Sequence, residues 1–159
     1  MSSEDQNMLE IKKEWAFSIP GKLEIPYKYF AGDFQSKALV ALRDKKKILG
    51  SRCPKCRKVF FPPRSVCGIC MSKIDELVEI GPGGTLESWT VVNYKEPTHP
   101  RRKPYILGLI KLDGSDSAML HFVGGVEAGK LKPGLRLKPV FSRKRAGQIL
   151  DIKQFKPAE

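Results

Sequence analysis

The chain has 159 residues, 41% of them apolar, which suffices for one ordinary domain with a real core plus attachments. Its 29 lysines and arginines stand against 17 aspartates and glutamates, and the resulting charge of +12 favours an anionic partner: nucleic acid, a phosphate-bearing ligand or an acidic protein face. No apolar run reaches the ~18 residues of a membrane helix, and the start, Met1 to Asn7, is polar and acidic; the expectation is a cytoplasmic protein with neither signal peptide nor membrane span.

In chain order, residues 1 to 32 read as an amino-terminal arm. Met8, Leu9, Ile11, Trp15 and Phe17 fit a short amphipathic helix ending before Pro20-Gly21. That stretch cannot bury itself, so it is expected to pack on something else. Pro26 favours extended chain from Gly21 to Phe30. Beyond Asp33, a candidate cap, Phe34, Ala38, Ala41 and Leu42 fall at i, i+4, i+7 and i+8, and cations crowd Arg43 to Lys47, where a helix dipole favours them. This predicts a helix over 33–46.

Every cysteine in the chain lies in Cys53-Pro54-Lys55-Cys56 and Cys67-Gly68-Ile69-Cys70, two Cys-x-x-Cys turns separated by ten residues. Two such turns facing each other place four sulfurs at the corners of a tetrahedron, a closed cage that suits structural zinc. Iron fits the same ligands, so ligand type alone leaves the metal open. Two disulfides would need an oxidising compartment, and a thioredoxin-like redox pair would leave one motif idle. Phe60-Phe61-Pro62-Pro63-Arg64 is expected to pack rings over the sulfurs.

After Cys70 the pattern turns to strands. Leu77 to Ile80 is a short candidate, broken by Gly81-Pro82-Gly83-Gly84; Thr85 to Val92, Tyr105 to Leu112, Ala118 to Val123, Leu135 to Phe141 and Gln148 to Phe155 follow. Asp113-Gly114-Ser115 and Lys132-Pro133-Gly134 punctuate them as turns. Five strands at this spacing, with no helix of substance between them, suit a Greek-key barrel of the OB type. The fold expected is mainly β with some α, divided into an arm and helix (1–47), a zinc ribbon (48–76) and an OB-fold domain (77–159).

The succession of helix, four-cysteine ribbon and five-stranded barrel is joined by local motifs: Phe61-Pro62-Pro63-Arg64 before the second cysteine pair, Gly83-Gly84-Thr85 entering the strand of Trp89-Thr90-Val91-Val92, and Pro104-Tyr105 opening the next. Together these resemble the family of rubredoxin-like zinc-ribbon plus OB-fold proteins, over roughly residues 27 to 155. Arg57 departs from the glycine that often follows the second cysteine of a knuckle. The resemblance implies a non-catalytic accessory subunit of a thiolase-family, acyl-CoA-handling enzyme, in a hetero-oligomer.

The residues agree with that role. With four thiols committed to metal, only His99 and His121 remain as candidate bases. His121, between Leu120 and Phe122, reads as a polar residue on a strand face; His99, in the loop Glu96 to Pro100, could touch a ligand or simply be exposed. Asp113, Asp116 and Glu127 read as turn formers. Arg101, Arg102 and Lys103, in the first long barrel loop, and Arg143, Lys144 and Arg145, before the last strand, are the candidate contacts to the phosphates of coenzyme A. The competing class is a nucleic-acid-binding module, disfavoured because few aromatics interleave with the charges; a third, an electron carrier, requires iron.

Overall fold

A computed structural model describes residues 28–95, 99 and 101–158. The expected arm helix, with Trp15 and Phe17, lies outside the described residues, as do Glu96 to Thr98 and Pro100. The elements below all belong to the unit Ala31–Glu159.

Helix α1 runs over Gly32–Lys45. Asp33 lies in its first turn rather than capping it: Ala31 holds the cap position and no side chain bonds there. Lys46 then adopts a left-handed conformation and donates its N–H to the Leu42 carbonyl, which ends the helix. Ala38 and Leu42 are buried, Leu42 in the main core, while Phe34 packs on the cysteine cluster. The apolar stripe is therefore spent inside the fold.

The ribbon is a three-stranded antiparallel sheet of β1 (Ile48–Arg52), β2 (Val59–Phe60) and β3 (Glu76–Ile80), with β1 in the middle. β3 crosses the expected boundary at residue 77 and pairs with β1 along its length, from Ile48↔Ile80 to Arg52↔Glu76. Successive side chains of an extended strand point to opposite faces. Phe60 accordingly packs with Cys53, Cys67 and Ile74, and Phe61 enters the main core; one ring of the expected pair covers the cysteines, not both.

Five strands close the barrel: β4 (Gly84–Val92), β5 (Tyr105–Leu112), β6 (Ala118–Val123), β7 (Arg136–Phe141) and β8 (Ile152–Pro157), in the order β4-β5-β6-β8-β7. β7 returns to β4 through Gly84↔Leu137, and β6 pairs parallel with β8 at Val123↔Phe155. Leu86, Ile110, Ile152 and Phe155 are fully buried at its centre. One cluster joins these residues to Leu42 of α1 and to Ile48, Val59, Phe61 and Ile80 of the ribbon, so ribbon and barrel share a core.

The turn between β5 and β6 locks that junction. The Asp116 carboxylate accepts the Val59 N–H (2.9 Å) and the Lys58 ammonium (2.8 Å), and the Asp116 N–H returns a bond to the Val59 carbonyl (2.8 Å). Ser117 Oγ accepts from Phe61 N–H (2.8 Å) and donates to the Phe61 carbonyl (3.0 Å). Asp116 thus does more than shape its own turn. Asp113 holds Arg136 through both carboxylate oxygens, at 2.8 and 2.5 Å.

Candidate metal centre and basic loops

The two Cys-x-x-Cys turns are built alike. In the first, Arg57 N–H donates to the Cys53 carbonyl (3.0 Å); in the second, Met71 N–H donates to the Cys67 carbonyl (3.1 Å). Both donors take positive φ, 63° and 57°, a region a side chain enters at a cost of about 1–2 kcal/mol. Arg57 therefore keeps the knuckle turn without the customary glycine.

These turns bring Cys53, Cys56, Cys67 and Cys70 together with all four sulfurs within 4.8 Å of one another. The closer pairs are Cys53 to Cys70 at 3.4 Å and Cys56 to Cys67 at 3.6 Å. A disulfide would need about 2 Å, whereas the edges of a zinc–thiolate tetrahedron measure about 3.8 Å. Donors surround the cage. Ser72 Oγ lies 3.1 Å from Cys53 Sγ and 3.0 Å from Cys70 Sγ, and Cys67 Sγ accepts the N–H groups of Ile69 (3.4 Å) and Cys70 (3.5 Å). Burial raises the Cys53 thiol pKa, but bonds from Ser72, from the Cys56 N–H and from neighbouring sulfurs outweigh it and bring the thiol down to about 5. Ser72 likewise lowers Cys70, whereas at Cys56 a bond from the Lys58 N–H is outweighed by burial and the neighbouring sulfurs, which push the thiol up to about 11. Four sulfurs this close, with donors around them, fit a four-sulfur metal site.

The two basic loops do not present their cations alike. Arg101 lies over the Phe122 ring, 4.0 Å from its centroid, and its guanidinium donates to Gln154 Oε1 (3.2 Å) and to the Lys153 carbonyl. Arg145 donates to the Arg43 carbonyl at the end of α1 and to the Ser142 carbonyl. Both therefore brace their own fold. Arg102, Lys103, Arg143 and Lys144 are exposed and make no hydrogen bond or ion pair among the described residues. The second loop is pinned from within by buried Asp151, whose carboxylate accepts the N–H groups of Ala146 (2.9 Å) and Gly147 (2.8 Å). The sequence hides Asp151 inside the stretch expected to be strand from Gln148; the strand begins only at Ile152, after a 3-10 turn over Ile149–Asp151.

The histidines part company as well. His121 is not on the outer face of its strand: it points into the barrel, 4% exposed, beside Phe155, and Leu120 takes the outward position. His99 is partly buried between Tyr94 and Tyr105, and its Nδ1 lies 3.2 Å from the Tyr105 hydroxyl. No helix of the described residues is long and apolar enough to cross a membrane.

Comparison with known proteins bears on both halves of this arrangement. The rubredoxin-like zinc ribbon domain of ChsH2 matches residues 41–73 and its C-terminal OB-fold domain matches residues 77–142, together more than half of the chain. A DUF35 domain-containing scaffold protein of Pyrococcus furiosus is 29% identical over 119 residues, covering 72% of this chain and 86% of that protein. A protein of the same description from Methanothermobacter thermautotrophicus is 32% identical over 68 residues, 42% of this chain and 50% of its own length. Among solved structures, one described as an Ltp2-ChsH2(DUF35) aldolase superposes with a TM-score of 0.62 at 20% identity, covering 83% of this chain and all of that one. A DUF35-family protein of unknown function from Sulfolobus solfataricus superposes at 0.60 with 25% identity, covering 80% and 87%. The first of these likenesses is one of fold alone.

Proposed function

The chain belongs to the family that joins a ChsH2-type rubredoxin-like zinc ribbon to an OB-fold domain, and from that premise we propose that it is a zinc-stapled, non-catalytic scaffold subunit of a thiolase-family enzyme complex. The observation that carries this reading is the match along 86% of a relative named a scaffold protein. The aldolase named beside ChsH2 in the fold neighbour supports a catalytic partner that makes or breaks carbon–carbon bonds. Cys53, Cys56, Cys67 and Cys70 hold the zinc, which has no open position and serves to fix the ribbon.

In this reading the scaffold borders the partner's acyl-CoA site. Arg102, Lys103, Arg143 and Lys144 are the cations available for the phosphates of coenzyme A, because Arg101 and Arg145 are already bonded within the fold. A guanidinium grips phosphate through paired donors and an ammonium as a point charge. The test is to purify the tagged chain from its source, identify the co-purifying catalytic subunit, and reconstitute the pair. The scaffold alone should show no thiolytic activity, the catalytic subunit should lose turnover without it, and Arg102→Glu or Lys144→Glu should raise the KM for acyl-CoA several-fold. Full turnover by the catalytic subunit alone, unchanged on adding the scaffold, would overturn the reading.

One observation favours a second reading. Tyr94 is 62% exposed near Arg102 and Lys103 in the chain, the pairing of ring and charge that single-stranded nucleic acid uses. Oligonucleotide affinity that survives physiological salt would favour it; loss with a slope of about 0.7–0.9 per phosphate contact is what scattered surface cations give.

A further inference from the structure

The outer face of β4, β5 and β6 has a composition that the functions assigned above do not use. Strand register sets Ser88, Leu109 and Leu120 in one cross-strand row and Thr90, Leu107 and Phe122 in the next. Trp89, Gly108 and His121 form the intervening row, with Gly108 and His121 buried and Trp89 packed against the core, and Leu86, Ile110 and Met119, the row beyond Leu109, are buried in the core. Alternation therefore turns the first two rows outward. Leu120 is 62% exposed, and Leu107 and Leu109 are half-buried. A sheet face that meets only water is ordinarily polar, whereas β5, reading Tyr-Ile-Leu-Gly-Leu-Ile, has the near-continuous apolar pattern of a strand covered on both sides.

The border of this face is basic. Lys111 follows Leu109 two places along β5, Arg101 sits on Phe122 at the other end, and Arg102 and Lys103 stand exposed in the adjoining loop. Glu87, at the β4 bulge, is the one carboxylate these three strands carry.

We infer that this face is the docking surface for the catalytic subunit, which meets it with an apolar centre bordered by carboxylates. The inference rests on the scaffold reading. Charge decides the occupant: two copies of a chain carrying +12 would oppose each other across the same basic border, while an acidic rim is drawn to it. Leucines offer no π-face on which bases stack, and the one ring in these two rows, Phe122, is 7% exposed beneath Arg101, so on this face nucleic acid has chiefly the charges to hold. The helix α1 does not compete, since Ala38 and Leu42 of its apolar stripe are buried and Phe34 packs on the cysteine cluster.

The test uses the full chain and the co-purified catalytic subunit. Leu120→Glu, at an outward position, should leave metal content and melting of the isolated chain unchanged and raise the Kd of the complex more than tenfold. Leu109→Gln should raise it several-fold, and Lys111→Glu should slow association several-fold and flatten its salt dependence. A Leu120→Glu chain that binds like wild type sinks the inference and leaves the scaffold reading standing; absence of any complex with the wild-type chain sinks both. A wild-type dimer in light scattering that becomes monomeric with Leu120→Glu would assign the face to a second copy. Submicromolar binding of a single strand of about 20 nucleotides, lost in the same variant, would assign it to nucleic acid. Either result overturns the inference.

Discussion

Inside the barrel, His121 has its ring nitrogens committed in opposite senses. Nδ1 accepts the Phe122 N–H at 2.9 Å, which leaves the proton on Nε2, 3.4 Å from the Ile149 carbonyl. Protonating Nδ1 would set one N–H against another. Burial foremost, and the charge of Arg101, hold its pKa below the ordinary 6.5. Above that value the ring is neutral folded or unfolded and contributes nothing to pH dependence. As pH falls below 6.5 the unfolded chain takes the proton first, so stability declines until the lower folded value is passed. Asp113 and Asp116 do not confuse this window: their pKa values are lowered by Arg136 and Lys58, and their contribution is lost only further into acid. Denaturant unfolding at pH 7.5 and pH 5 should therefore show a loss of stability on acidification that is smaller in His121→Gln; equal losses in both chains would refute the assignment.

Between elements, the β5–β6 turn ties the ribbon to the barrel beside their shared core. Asp116→Ala removes the acceptor of the Val59 N–H and should cost about 1–3 kcal/mol, seen as a lower urea midpoint. Lys58→Ala removes only an exposed ion pair and should cost under about 1 kcal/mol. Equal losses in the two variants would mean that the charge pair, not the backbone bond, makes the joint. This clamp was hidden in the sequence because its partners lie 57 residues apart. The cysteine cage was legible because each half is a local turn, and the barrel strands because β-branched runs alternate with Gly and Pro turns. The facing of β6 was not legible. Ala-Met-Leu-His-Phe-Val is apolar in both phases of its alternation, so only the register with β5 shows that Leu120 faces out and His121 in. The partition of the arginines was hidden for the same reason: Arg101 is fixed by Gln154 and Arg145 by Arg43, contacts that charge patterning does not reveal.

At the scale of the molecule, the shared core changes what loss of the metal should do. A ribbon hung beside an independent barrel would melt first and leave the barrel intact, which is the behaviour that the division at residue 77 suggests. Here Ile48, Val59, Phe61 and Ile80 of the ribbon lie in one cluster with Leu86, Ile110 and Phe155 of the barrel. A disordered ribbon would expose that side of the core, and burial of such side chains contributes about 1.5–3 kcal/mol each. Zinc binding, on the order of 10 kcal/mol for a four-thiolate site, is therefore coupled to the stability of the whole. Treatment with a strong chelator, or the Cys67→Ser substitution, should lower the melting temperature by more than about 10 °C, in a single transition. Circular dichroism of the strands and fluorescence of Trp89, which packs against the barrel core, should report the same midpoint. Two separated transitions, with the Trp89 signal unmoved by chelation, would show that the barrel stands without its ribbon.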